Sequence, residues 1–152
     1  MTALNGQIIG QAHYATRAVL ERELVGFGIT FHQSLALNAA ATEGGAVVRA
    51  DLVERLTDAL KVDRSVVLAA VDELVAGGLL RALPDGGSGL ALTDAGRQVQ
   101  RRVADVVVGI AARLYADIPA ADLAVAGRVL ILLKQRADAE LAATGNGAPA
   151  AA

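Results

Sequence analysis

Between Arg49 and Gly96 the spacing of apolar residues changes character, and that change restricts the fold more than any other feature of the chain. Before Gly77 apolar residues recur three and four apart, as helices require. Beyond it they fall into short runs broken by Pro84-Asp85-Gly86-Gly87-Ser88-Gly89. The stretch therefore reads as helix, turn, helix and a short two-stranded ribbon. In the first helix Leu52, Leu56 and Leu60 lie at i, i+4 and i+8, with Glu54, Arg55 and Asp58 on the other side. Asp63, or Ser65 just beyond it, is placed to cap the second helix by accepting from the free N–H groups of its first turn. Within that helix Val67, Ala70, Val71 and Leu74 share one face, and Gly77-Gly78 supply the left-handed residue with which helices often end.

These residues also carry a resemblance. Asp63-Arg64-Ser65, then Val71-Asp72 and Leu74, then Gly78-Leu79-Leu80, then Leu92-Thr93-Asp94-Ala95-Gly96-Arg97 resemble the winged helix-turn-helix of MarR-family transcriptional regulators. In that family the same spacing leads through a wing to an LTxxGR start of a long helix. The resemblance covers nearly the whole chain. It implies a mainly α fold with a small β-wing, in which a winged helix-turn-helix at 46–92 is flanked by long dimerisation helices in 1–45 and 93–143. These form one domain, 1–143, and the small-residue segment 144–152 is expected to be disordered.

Composition is compatible with this. More than half of the 152 residues are hydrophobic, enough for one domain with a real core. With no cysteine, neither a disulfide framework nor a thiolate metal site is available. Two histidines without a third ligand or an HExxH spacing make no metal site, and no cofactor motif is visible. Gly86-Gly87-Ser88-Gly89 lacks the Lys-Ser/Thr of a phosphate loop and reads as a hairpin turn. Val106 to Ile110 is too short an apolar run to span a bilayer, and no signal pattern is seen, so a cytoplasmic protein without membrane contact is expected. Aromatic residues are restricted to Tyr14, Tyr115, Phe27 and Phe31, which disfavours recognition by stacking on bases.

Residues from Met1 to Gly28 read as a long first helix with Ile8, Ala12, Ala15, Val19 and Leu24 as its buried stripe. Thr30 caps a second helix from Phe31 to Ala41, and Val47-Val48 form a short strand that pairs with the wing. Thr93 caps a long helix from Asp94 to about Asp117, striped by Val99, Val103, Val106, Val107, Ile110 and Leu114. Pro119 opens a last helix that carries Leu123 and the run Val129 to Leu133. These helices hold more apolar surface than one small domain buries, so an intertwined homodimer, as in the resembled family, is expected as the simplest explanation, with an intramolecular core as the alternative.

Set beside the family, the reading head is unusual. Thr57 to Val62 add about one helical turn before the second helix. Where the family often has Ser or Thr followed by Arg, this chain has Leu68-Ala69 and then Asp72-Glu73, and its wing tip carries no basic residue, Arg81 being the nearest. From Ala46 to Arg102, eight basic and eight acidic residues cancel. Such a module gains little from counterion release unless folding segregates the charges.

Three functions follow. The first is a dimeric regulator that binds double-stranded operator DNA through Arg64, Ser65, Leu68, Ala69 and Arg81. By analogy with the family, a small-molecule effector would lie near His13, Tyr14, Arg17 and His32, biasing two conformations that differ in DNA affinity. The second keeps the fold without DNA binding, as a small-molecule binder or enzyme in which His13, Tyr14, Arg17 and His32 do the work. The third is a protein-interaction role through Leu68, Val75 and the wing.

Overall fold

The computed structural model describes residues 2–145. In chain order the elements are α1 (Gly6–Leu24), a 3-10 turn (Val25–Phe27), α2 (Phe31–Thr42), β1 (Ala46–Val48), α3 (Arg49–Leu60) and α4 (Arg64–Ala76). β2 (Leu80–Ala82), β3 (Gly89–Leu92), α5 (Asp94–Leu114) and α6 (Ala120–Gly145) follow. The chain divides into two compact units, one up to Ala112 and one from Arg113. The expected division into a domain 1–143 and a tail from 144 meets α6 at its end: Thr144 and Gly145 complete that helix, and 146–152 lie outside the described residues.

In the first unit the core is built on the helix-turn-helix. Leu52, Val53 and Leu56 of α3 and Val67, Val71 and Leu74 of α4 are buried against Ala36, Leu37 and Ala40 of α2 and Leu80, Leu90 and Leu92 of the sheet. The anticipated apolar face of α4 is thus the face that packs. The sheet has the order β1-β3-β2 and is antiparallel throughout, with Val47 opposite Leu90 and Arg81 opposite Ala91. The ribbon accordingly has a third strand, because Val47-Val48 pair along its open edge.

α2 begins with a capping box. Thr30 Oγ1 accepts from Gln33 N, and Gln33 Oε1 accepts from Thr30 N, which satisfies two orphan donors of the first turn. The first helix is shorter than its apolar pattern predicted, running from Gly6 to Leu24 rather than from Met1 to Gly28. Asn5 caps its start by accepting from Ile8 N, and Val25–Phe27 tighten into a 3-10 turn at its end. Of its expected stripe only Leu24 is buried; Ala12 and Ala15 are exposed, while Ile8 and Val19 are half-buried.

The junction between wing and α5 explains the Leu-Thr-Asp-Ala-Gly-Arg run. Thr93 Oγ1 accepts from Gly96 N at 2.9 Å and donates to Gly78 O at 2.6 Å, so one hydroxyl caps α5 and ties it to the end of α4. Gly78 (φ 73°) is the left-handed residue closing α4, with Leu79 N donating to Leu74 O. Gly96 is buried against the Leu79 carbonyl, and a side chain there would collide with it.

In the second unit Pro119 is not the first residue of α6 but the cap before it, its carbonyl accepting from Asp122 N and Leu123 N. α6 buries none of its side chains, and Val129 to Leu133 are all exposed. Among the described residues no helix is long and apolar enough to cross a membrane.

Candidate nucleic-acid interface

α3 ends at Leu60, and Lys61 takes the left-handed conformation (φ 53°, ψ 41°) as its cap. The extra residues therefore lengthen α3 itself, and the turn before α4 remains Lys61-Val62-Asp63. Lys61 Nζ pairs with Asp58 at 3.1 Å. Of the two candidate caps for α4, Asp63 acts: its Oδ1 accepts from Ser65 N at 2.8 Å and from Ser65 Oγ at 2.6 Å. Those two bonds, the hydroxyl's first, hold the Asp63 carboxyl below its ordinary value.

The remaining surface of α4 consists of Arg64, Ser65, Val66, Ala69, Asp72, Glu73 and Ala76, all exposed. Arg64 stands at the first helical position, where a cation faces the positive end of the helix dipole and is unfavourable for the helix. Leu68 and Val75 are half-buried and pack against the core. The two acidic residues that spoil the face in the sequence are each held from outside α4. Arg49 of α3 pairs with Asp72, and Gln33 Nε2 of α2 donates to Glu73 Oε2 at 2.6 Å. Gln33 thus caps α2 and grips α4 with the two ends of one amide. Neither tie is visible in the sequence beyond the Thr30…Gln33 capping spacing.

Arg81 projects from β2 and is exposed. The wing tip is a Gly-rich turn in which Asp85 Oδ1 accepts from Gly87 N, and the start of α3 is tied to it through Arg49 N donating to Ser88 O. Neither Arg64 nor Arg81 has an ion-pair partner among the described residues, whereas Asp58, Asp72 and Glu43 are paired with Lys61, Arg49 and Arg55.

The four residues grouped by analogy into a ligand site lie on α1 and at the start of α2. The His13 and Tyr14 rings lie 5.6 Å apart between centroids, tilted by 59°, and Tyr14 is 71% exposed. The Arg17 guanidinium sits 4.3 Å from the centre of the Phe31 ring and pairs with Glu21, while Phe31 meets His32 edge-on at 5.8 Å. Next along these helices is a cavity of about 250 Å³ lined by Leu20 of α1, Ser34, Leu35, Leu37 and Asn38 of α2, and Gln100, Val103, Ala104 and Val107 of α5. None of the four analogy residues lines it. Among the described residues no group of three or more His, Cys, Asp or Glu side chains is placed to hold a metal ion.

Similarity to solved structures is extensive in shape and low in sequence. An uncharacterized SlyA-like transcription regulator from Listeria monocytogenes superposes with a TM-score of 0.78 over 99% of this chain and all of its own, at 17% identity. A protein described as a MarR-family transcriptional regulator, also from Listeria monocytogenes and complexed with a 26mer DNA, gives 0.77 with the same coverage and identity. A mutant MarR from E. coli complexed with operator DNA gives 0.70 over 84% of this chain and 91% of its own, at 20% identity. No protein-family model matches the chain, and no curated protein matches it. The fold is that of the MarR and SlyA regulators.

Proposed function

We propose that the chain is a dimeric, MarR-type transcriptional regulator that binds double-stranded DNA through α4 and the wing and responds to a small molecule. The observation that carries this reading is the pair of exposed arginines, Arg64 and Arg81, that have no ion-pair partner among the described residues of the reading head. Asp72 is paired with Arg49, Glu73 and Asp63 stay charged but are held in place by Gln33 and Ser65, and Arg64 and Arg81 are exposed and unpaired among the described residues. The charge-neutral sequence thereby presents two cations per protomer to phosphate. Two of the similar structures are complexed with DNA, which supports the DNA-binding reading.

Dimerisation is supported by α6, whose Val125, Val129, Leu130, Ile131, Leu132, Leu133 and Leu141 are all exposed, a surface that monomers seldom leave in water. The effector is assigned to the cavity among α1, α2 and α5. Its lining offers Ser34, Asn38 and Gln100 for hydrogen bonds and no formal charge, which suits an uncharged, largely apolar ligand. Along the same two helices His13 and Tyr14 are exposed, while Arg17 and His32 are half-buried.

The test is fluorescence anisotropy against duplexes from the protein's own promoter region at low and moderate salt. Four phosphate-contacting arginines per dimer predict a log–log salt slope of about −4, and Arg64→Ala flattens it by about 2. Light scattering gives twice the chain mass, and Leu130→Glu with Ile131→Glu yields monomers. Absence of any duplex binding at low salt refutes the regulator reading and turns attention to the His13 and His32 face.

A further inference from the structure

The exposed face of α4 lacks the groups with which helices usually read bases. Beyond Arg64 the only side chain of α4 carrying a hydrogen-bond donor is Ser65, and its hydroxyl hydrogen is given to Asp63. Purine N7 and O6 atoms in the major groove accept hydrogen bonds and need donors. Asp72 and Glu73 can only accept, and each already receives a hydrogen bond, from Arg49 and from Gln33. Between Arg64 and Asp72 the exposed side chains other than Ser65 are Val66, 38% exposed and outside the core cluster, and Ala69. The one apolar group that a base pair presents in the major groove is the thymine C5-methyl.

We propose that α4 recognises its site through thymine methyl groups that face Val66 and Ala69, with Arg64 and Arg81 holding the flanking phosphates. This rests on the DNA-binding reading above and names what that site reads. Val66 and Ala69 are one helical step apart on the same face, about 5–6 Å between Cβ atoms. That separation matches methyls on thymines one or two base-pair steps apart, at about 3.4 Å per step. Discrimination then comes from methyl burial, and a cytosine bearing a 5-methyl group mimics thymine at those positions.

The experiment selects duplexes from a random pool with the full-length protein at low salt. Affinities are then compared for the selected duplex and for the same duplex with deoxyuridine in place of thymine in each half-site. The expected result is thymine at adjacent or next-adjacent positions and about a fourfold loss of affinity per contacted methyl removed. Replacing such a T·A pair by 5-methylcytosine·G binds more tightly than replacing it by unmethylated C·G. Val66→Ala narrows the difference between thymine and uracil duplexes, whereas Arg64→Ala weakens both alike. Equal affinity for thymine and uracil duplexes, enriched sites without thymine, or an unchanged difference in Val66→Ala overturns the inference while leaving DNA binding intact. No binding to any duplex overturns the regulator reading and this one with it.

Discussion

Substituting Gly96 tests the account of how the wing is locked to α5. A Cβ at this position would stand 2.9 Å from the carbonyl carbon of Leu79 and closer still to its oxygen, inside the 3.0 Å that real Cβ atoms keep. Bringing even the carbon out to the 3.4 Å of ordinary contact takes about 0.5 Å of movement, and the oxygen needs more. The obstacle is backbone, so no side chain can swing aside. Moving α5 away also stretches the Thr93 Oγ1 bond to Gly78 O and the Thr93 N bond to Leu79 O. Overpacking of this kind costs about 1–3 kcal/mol and a weakened cap about 1 kcal/mol more, against about 1 kcal/mol gained from alanine's helix propensity. Gly96→Ala is therefore expected to destabilise by about 2 kcal/mol, or about 1 M in urea midpoint for an m-value of about 2 kcal/mol/M. Gly26→Ala is the control, since a Cβ there meets nothing within 4 Å. Urea unfolding followed by circular dichroism reads both, at one fixed protein concentration because association adds to apparent stability. A Gly96→Ala midpoint equal to or above that of Gly26→Ala would refute the close-approach argument.

Gln33→Glu sets a second carboxylate against Glu73, and is expected to destabilise by about 1–3 kcal/mol at neutral pH, with recovery on acidification as one of the pair takes a proton; an effect independent of pH would contradict the Gln33–Glu73 contact. Asp63 has a lowered pKa in the folded chain, so its contribution is complete above the ordinary carboxylate value of 3.8 and is lost as pH falls through the lowered folded value. Asp63→Asn keeps an accepting oxygen for the cap and should show a weaker loss of stability below that pH than the parent, as measured by thermal melts across acidic pH. Thr57 Oγ1 is buried with no hydrogen-bond partner among the described residues, so Thr57→Val removes a desolvation cost at nearly constant shape. A rise in stability of about 1 kcal/mol is expected there, and a fall would show that the hydroxyl is satisfied in solution.

The helix-turn-helix was legible because its information is local. Periodicity alone placed Leu52 and Leu56 and the four buried positions of α4, and turn chemistry placed the breaks at Gly78 and at 84–89. Where two residues offered the same local chemistry, as Asp63 and Ser65 did, only geometry could choose, and it used both: the carboxylate as cap, the hydroxyl as donor to it. The α1 stripe misled for a related reason. Period reveals that a face is apolar but not which surface covers it, and Ala12 and Ala15 remain exposed within the chain. What could not be read was long-range. Arg49 and Asp72 are 23 positions apart, Gln33 and Glu73 are 40 apart, and the cavity draws its lining from three helices.

Those distant ties change what the charge count means. Eight cations against eight anions suggest a surface with no attraction for DNA, yet a net count treats every charge as equally available. In the fold Asp58, Asp72 and Asp63 are each engaged close to the α3–α4 turn or along α4, and the cation at the start of α4 is not. With no basic residue at the wing tip, the phosphate term rests on a few arginines and stays modest. In the proposed docking such a reading head gains little from sliding on arbitrary sequence, so a larger share of its affinity has to come from the groove itself. On the proposal that α4 reads thymine methyls, the exposed Val66 and Ala69 reward only a base that carries a methyl group, and the apolar stretch that looks least like a DNA-reading helix becomes the part on which sequence preference depends.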